Sequence, residues 1–193
     1  MNQGGSKRKK YLAALIPFLV IGALFLLLIV GIFGGGSNIL PAEEEEVSGY
    51  QVIGNQLNVS WEWFMLIDMY QAELSKSEFS KQNPVYTALN CIKITIEVYS
   101  EEEDENGDDY WYHDHTDYAN GAEEILNYFG LSTDTTDVNL VVRAIQRKNS
   151  KEYRITMETY PTFEEVLNTY YQFPPEMVSE MLEMEKAHYF SEA

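Results

Sequence analysis

The longest apolar run in the chain lies near its N-terminus. Residues 11–33 are 23 consecutive positions without a charged side chain, and a helix of that length can cross a hydrocarbon core of roughly 30 Å. Basic residues precede this run at 7–10, and glutamates follow it at 43–46. By the positive-inside rule, this pattern predicts one transmembrane helix over 11–33 and a cytoplasmic basic tail over 1–10. A cleaved signal peptide is the alternative, although its apolar region is typically only about 7–15 residues long.

A flexible tether is predicted over 34–48, because this stretch combines a run of glycines with the run of glutamates. The folded part is then expected to occupy 49–193, on the extracytoplasmic side of the plasma membrane. That length is enough for one domain with its own hydrophobic core.

An amphipathic helix is predicted to follow Ser60, which can serve as its N-cap. Apolar side chains recur there at helical spacing: Trp63, Leu66, Ile67, Tyr70 and Leu74. Further apolar residues widen this face, so we expect the helix to be packed on two sides at the centre of the core. Asp68 lies among them. It is either a tuned catalytic acid or, as we favour, a carboxylate on the remaining solvent face or one that caps a neighbour.

The clearest strand is predicted over 91–99, where apolar and polar side chains alternate. Cys91, at its head, is expected to be a small buried residue. Asn106 and Gly107 follow within a run of seven carboxylates and precede a second extended segment. Asn-Gly between two extended segments is the strongest short-range hairpin signal, so we predict a hairpin here.

The length of the hairpin loop decides which side chains share the apolar face of the first strand. A two-residue loop would place His115 and Asp117 on that face, whereas a three-residue loop would place Tyr112 and Thr116 there. We expect the second arrangement, because it does not bury charge without a partner.

Two ten-residue segments, 122–131 and 163–172, match at five or six positions at an offset of 41. Each follows an extended segment and precedes a further helical stretch. We therefore predict a duplicated strand-helix-helix unit over 110–148 and 151–190.

Signals for helix ends agree with this interpretation. Thr162 and Glu165 form a capping box at the start of the second short helix. Gly130 lies where a C-terminal cap belongs in the first, and Pro175 suits the first turn of the closing helix. Because helices alternate with short strands, the predicted fold class of the extracytoplasmic domain is α+β.

Charge excludes one large class of partner. The chain has 13 Lys and Arg residues against 31 Asp and Glu residues. Four of the basic residues lie at 7–10, so the chain from Gly34 onward carries 9 basic and 31 acidic side chains, a net charge of −22. Such a surface repels phosphate backbones, so we expect no nucleic-acid partner. The single cysteine excludes an intramolecular disulfide framework and a cysteine-rich zinc site.

Two polar segments offer ligands for a cation. His113 and His115 would point to one face of a strand, where they could share a metal ion with Asp117. An ordinary polar strand face is the alternative. The predicted hairpin offers many carboxylate oxygens but places its glycine too early for a calcium-binding EF-hand loop. Its candidate cation ligands are Asp104, Glu105, Asp108 and Asp109. We expect no resident cofactor, and at most weak binding of a divalent cation.

Aromatic residues follow the acidic run directly. Tyr110, Trp111 and Tyr112 form a candidate interaction surface, on which glycans or peptides could stack. The alternative is that these rings belong to the core, which we favour for most members of the set Tyr110, Trp111, Tyr112, Tyr170 and Tyr171.

The order of these elements resembles a known arrangement. A basic tail, one membrane helix, an acidic tether, a VSWEWFMLIDMYQ helix and strand-then-FEEVLN-type repeats follow one another. This order resembles the non-catalytic N-terminal region of membrane-anchored cell-wall hydrolases, of the M23 or NlpC/P60 type, in Gram-positive bacteria and their mobile elements. In that family a peptidase domain follows, whereas no matching zinc or cysteine-histidine set occurs in this sequence. The resemblance, over 59–190, implies an anchor and a placement module without the catalytic domain.

Two functions are consistent with these observations. The first is a single-pass membrane-anchored extracytoplasmic interaction or scaffolding module, accessory to cell-wall remodelling or conjugation machinery, with envelope proteins or cell-wall components as partners. The second is a small membrane-tethered cell-wall hydrolase or metal-dependent envelope enzyme that uses Asp68 or the set His113, His115 and Asp117. We favour the first and assign no catalytic residue, because the sequence shows no convergent catalytic set. The oligomeric state is not determined by the sequence.

Overall fold

The computed structural model describes residues 44–190, which belong to one compact unit, 41–193. The predicted cytoplasmic tail, the predicted membrane helix over 11–33 and most of the predicted tether lie outside the described residues. Among 44–190, no helix is both long enough and apolar enough to span a membrane.

The described residues form helices and one antiparallel sheet, which confirms the α+β class. The helices are α1 (Glu44–Leu57), α2 (Trp61–Ser75), α3 (Pro84–Leu89), α4 (Gly121–Tyr128), α5 (Val138–Lys148), α6 (Phe163–Tyr170) and α7 (Pro175–Lys186). The strands are β1 (Ile92–Glu103), β2 (Asp109–Asn120) and β3 (Tyr153–Thr159).

Helix α2 lies at the centre of the core, as its wide apolar face predicts. Every side chain from Phe64 to Tyr70 is buried, and α1, α3 and α7 pack around it. Two ring pairs fix its neighbours: Phe64 stacks on Tyr50 of α1, and Trp63 stacks on Phe163 of α6. Ser60 occupies the predicted N-cap position but makes no side-chain capping hydrogen bond.

Helix α1 begins at Glu44, inside the stretch predicted as a tether over 34–48, so the boundary predicted at Gly49 is too late. Core packing explains the earlier start, because the apolar positions Tyr50, Ile53 and Leu57 bury one side of α1.

The sheet has the strand order β2-β1-β3, with β1 antiparallel to both neighbours. The alternating side chains Ile92, Ile94 and Ile96 of β1 are fully buried. Strand β3 pairs only with the first part of β1, up to Val98, whereas β2 pairs with β1 as far as Glu103. The hairpin over 99–113, here called the arm, therefore has no third strand beside it.

The register of the hairpin differs from our expectation. Asp117 pairs with Ile96 and His115 pairs with Val98, so the expectation that Tyr112 and Thr116 would share the apolar face is wrong. The loop spans 104–108, and a register shift in β2 opposite Val98 and Tyr99 inserts one extra residue, Asp114. The two polar side chains on this face are partly exposed and lie close to each other. The side chains of His115 and Asp117 are 53% and 41% exposed and lie 3.6 Å apart.

The two predicted repeat copies have the same element order: β2, α4 and α5, then β3, α6 and α7. The matched pair Ile125 and Val166 is buried in both copies. The two copies are in contact at Gly121, which has a φ of +78°. The approach is close, since a Cβ added at this position would lie only 2.5 Å from the ring of Tyr170. A duplication of one ancestral unit stays a prediction.

The hydroxyl half of the predicted capping box and the predicted glycine cap are present. The Thr162 hydroxyl accepts a hydrogen bond from the Glu165 N–H at 3.2 Å, whereas the Glu165 carboxylate pairs with Lys93 at 3.1 Å. Gly130, with a φ of +68°, follows α4. Its N–H donates to the carbonyl of Asn127, and the next N–H, of Leu131, donates to the carbonyl of Leu126. These two bonds form a Schellman motif, which satisfies carbonyls at the end of the helix.

Candidate functional site

The arm carries most of the residues that the sequence singles out. It holds seven carboxylates and no Lys or Arg. Side chains on paired strands alternate between its two faces. One face presents Tyr110, Tyr112 and Glu102, and the Tyr110 hydroxyl donates to Glu102 at 2.8 Å. The other face presents Trp111 and Tyr99.

The tip of the arm is ordered by Asp104. Its carboxylate accepts hydrogen bonds from the backbone N–H groups of Asn106 and Asp108, at 2.8 Å and 2.9 Å. Gly107, with a φ of +85°, closes the turn by donating to the Asp104 carbonyl. The backbone N–H groups of Asp108 and Asn106 hold the pKa of the Asp104 carboxyl below its usual range. Asp104 therefore builds the turn and is not a free ligand beside Glu105, Asp108 and Asp109.

The expectation that His113 and His115 point to one face is wrong. The extra residue Asp114 places His113 beside Tyr99, with Nε2 at 2.9 Å from the hydroxyl of Thr116. His115 lies on the opposite face, near Asp117. Within residues 44–190, no group of three or more His, Cys, Asp or Glu side chains is placed to hold a metal ion. A metal site formed by His113, His115 and Asp117 stays a prediction, but without the shared face on which it was based.

The aromatic residues of the arm do not belong to the core. Tyr110 and Tyr112 are 45% and 36% exposed, and their rings lie 6.3 Å apart. Trp111 is half-buried on the other face. The alternative that we favoured for most aromatic residues therefore fails for these three. The structure leaves them accessible, as an interaction surface requires.

Arg154 of β3 holds the base of the arm. Its guanidinium lies 4.7 Å from the centre of the Tyr99 ring and donates to the Tyr99 hydroxyl at 3.2 Å. No sequence motif singles out Arg154. The alternation of β3 predicts only that Arg154 points away from the apolar face, not which ring it meets.

Asp68 is fully buried, so the expectation of a solvent-facing carboxylate is wrong. The Tyr50 hydroxyl donates to one carboxylate oxygen at 2.6 Å, and the Thr87 hydroxyl donates to the other at 2.5 Å. Burial raises the pKa of Asp68 to about 6, against the opposing effect of these two hydrogen bonds. Burial also raises the pKa of Tyr50, so this phenol stays a donor.

The enclosed position of Asp68 suits a structural role better than catalysis, because a catalytic acid must meet its substrate. Cys91 is likewise buried, as expected. Burial raises the pKa of its thiol, which opposes formation of the nucleophilic thiolate. The sequence gives no signal for the partners Tyr50 and Thr87, which are 18 and 19 residues from Asp68 along the chain.

Comparison with known proteins finds no matching family model, no matching curated protein and no matching solved structure.

Replacing Asp68 by Asn should change the pH dependence of stability. The raised pKa means that the folded state keeps a proton on Asp68 between pH 3.8 and about 6, where the unfolded state has lost it. The stability that Asp68 gains from holding this proton in the folded state is therefore fully present below pH 3.8. It declines through this window and is lost above about pH 6. An Asn could accept from Tyr50 without carrying charge. The difference in the free energy of unfolding, Asp68→Asn minus wild type, should therefore be up to about 3 kcal/mol larger at pH 7.5 than at pH 4.

Urea unfolding of both chains between pH 4 and pH 7.5 measures this difference. Tryptophan fluorescence reports the domain, because Trp61, Trp63 and Trp111 all lie in the described part. Taking the difference between the two chains cancels the titration of the other carboxylates. A difference that stays flat, or that falls with rising pH, would contradict the assignment.

Proposed function

We propose that this chain is a single-pass membrane-anchored extracytoplasmic interaction module of the plasma membrane. In this proposal the helix over 11–33 is the anchor and the α+β unit lies outside, with the arm as its recognition element. The observation that carries the proposal is the arm itself, a charged and aromatic hairpin that extends beyond the third strand of its sheet.

Three properties of the arm support a role in binding. Its tip is held in one conformation by Asp104, so less conformational entropy is lost on binding than for a flexible loop. Tyr110 and Tyr112 supply exposed rings, and tyrosine is enriched at protein interfaces. The seven carboxylates can steer a basic or polar partner and select against acidic ones.

The order of elements in the sequence suggests where such a module works. Its resemblance to the non-catalytic region of Gram-positive cell-wall hydrolases favours an accessory role in wall remodelling or conjugation machinery. We propose other envelope proteins or cell-wall components as its partners.

Labelling of single cysteines in intact Gram-positive cells tests the anchored topology. The native Cys91 gives no background, because it is fully buried. We expect a membrane-impermeant maleimide to label Ser150→Cys from outside, since Ser150 is exposed in the described domain. Ser6→Cys, in the predicted cytoplasmic tail, should be labelled only after the cells are permeabilised. The reverse pattern would contradict the proposed orientation.

Site-specific photo-crosslinking in cells tests the arm. A photoreactive residue in place of Tyr110 should give discrete crosslinked species. The matched control is Tyr118, which lies on the same strand, is 66% exposed and lies outside the arm. We expect few or no adducts from the control. The same adducts from both positions, or none from Tyr110, would count against the arm as the recognition element.

A further inference from the structure

The few basic residues of the domain are concentrated in one region. Five of the nine that follow Gly34 lie between positions 143 and 154. Arg143, Arg147 and Lys148 of α5 line a groove of about 590 Å³, here called the basic groove. Its other lining residues are largely apolar and include Tyr128, Phe129, Leu131 and Leu140.

These three cations have no carboxylate partner in the described part of the chain. Yet acidic side chains outnumber basic ones by more than three to one after Gly34. Arg143 and Arg147 are four residues apart on α5, a spacing at which like charges destabilise a helix. The helix dipole accounts for Arg147 and Lys148 in the last turn. It does not account for Arg143, one turn earlier. A bound anionic group would offset the repulsion between Arg143 and Arg147.

One end of the groove is held in place by aromatic rings. The Lys148 ammonium lies 4.6 Å from the centres of both the Tyr128 and the Tyr153 rings. Tyr128 in turn donates from its hydroxyl to Asp117 of β2 at 3.2 Å. Near the other cations, Leu140 is 47% exposed. The groove thus combines fixed positive charge with accessible apolar surface, which suits a ligand that is both acidic and aromatic.

We propose that the basic groove binds the end of the arm from a second copy of this chain, in a head-to-tail contact. The arm has the complementary chemistry, because its tip carries carboxylates next to the exposed ring of Tyr110. Within one copy, no arm carboxylate pairs with the groove cations in the described residues. Each copy therefore offers both halves of the contact. Such a heterologous contact produces rings or chains of molecules.

This inference rests on the proposed function, since anchoring in one membrane raises the effective concentration of the two surfaces. The net charge of −22 that the chain carries from Gly34 onward opposes association between copies. At physiological ionic strength that repulsion is screened beyond about 8 Å, whereas ion pairs at the contact are closer and are screened less.

Complementary variants of the full chain test the contact. The arm variant is Glu105→Lys with Asp108→Lys, and the groove variant is Arg143→Glu with Arg147→Glu. Two differently tagged chains are co-expressed, crosslinked while still in the membrane, extracted in detergent and co-purified. We expect wild-type chains to co-purify, and each variant to lose at least about tenfold of its self-association. A mixture of arm variant and groove variant should still pair, because one intact contact remains between an unaltered arm and an unaltered groove.

The mixed pair also serves as a control for folding, since each variant must supply its intact half. A second control, Lys76→Glu with Lys186→Glu, makes the same change in net charge as the groove variant, at exposed positions outside the groove, and should co-purify like wild type. The proposal is overturned if wild-type chains do not co-purify, if neither variant weakens self-association, or if the mixed pair fails as well. Crosslinks from Tyr110 to other envelope proteins alone would overturn this inference while supporting the proposed function.

Discussion

The length difference between neighbouring strands determines which part of the hairpin is left exposed. Strand β1 has 12 residues and β3 has seven, so the outer part of β1 pairs only with β2. A two-stranded hairpin alone is at best marginally stable in water. Here the arm extends from a sheet whose base is fully packed, and Asp104 at the tip and Arg154 at the base add fixed contacts. The domain can therefore present an ordered hairpin with both faces accessible.

The core around α2 contains a buried polar group, the Asp68 carboxyl, that lowers the stability of the domain at neutral pH. Asp68 is buried in α2 without a cation beside it among the described residues, and two hydroxyl donors satisfy its oxygens. Because its pKa is raised, ionisation at neutral pH costs stability that an uncharged amide side chain would keep. The three hydrogen-bonded groups come from α1, α2 and α3, so the same contacts fix how these helices pack. Removing a hydroxyl would leave a buried carboxylate less satisfied, which is costly.

Much of the fold is predictable from the sequence because its signals are local. The start of β1, the hydroxyl cap at Thr162 and the glycine cap at Gly130 follow from short patterns of a few residues. The pairing of His115 with Val98 is not local, since one extra residue in β2 changes the face of every side chain beyond it. For the same reason, the prediction that His113 and His115 share one face is wrong. The aromatic residues of the arm could be listed from the sequence, but their exposure depends on where β3 ends. The basic groove was missed, although the clustering of cations between 143 and 154 is a visible signal.

Hydrogen-deuterium exchange of the arm in two environments tests the central claim most directly. The full chain would be compared in its native membrane and in dilute detergent solution, with peptides from 99–113 and from α2 followed together. If the arm is a recognition element, its backbone amides should exchange more slowly in the membrane, where partners cover it, while α2 is unchanged. Equal exchange of the arm in both environments would contradict the account.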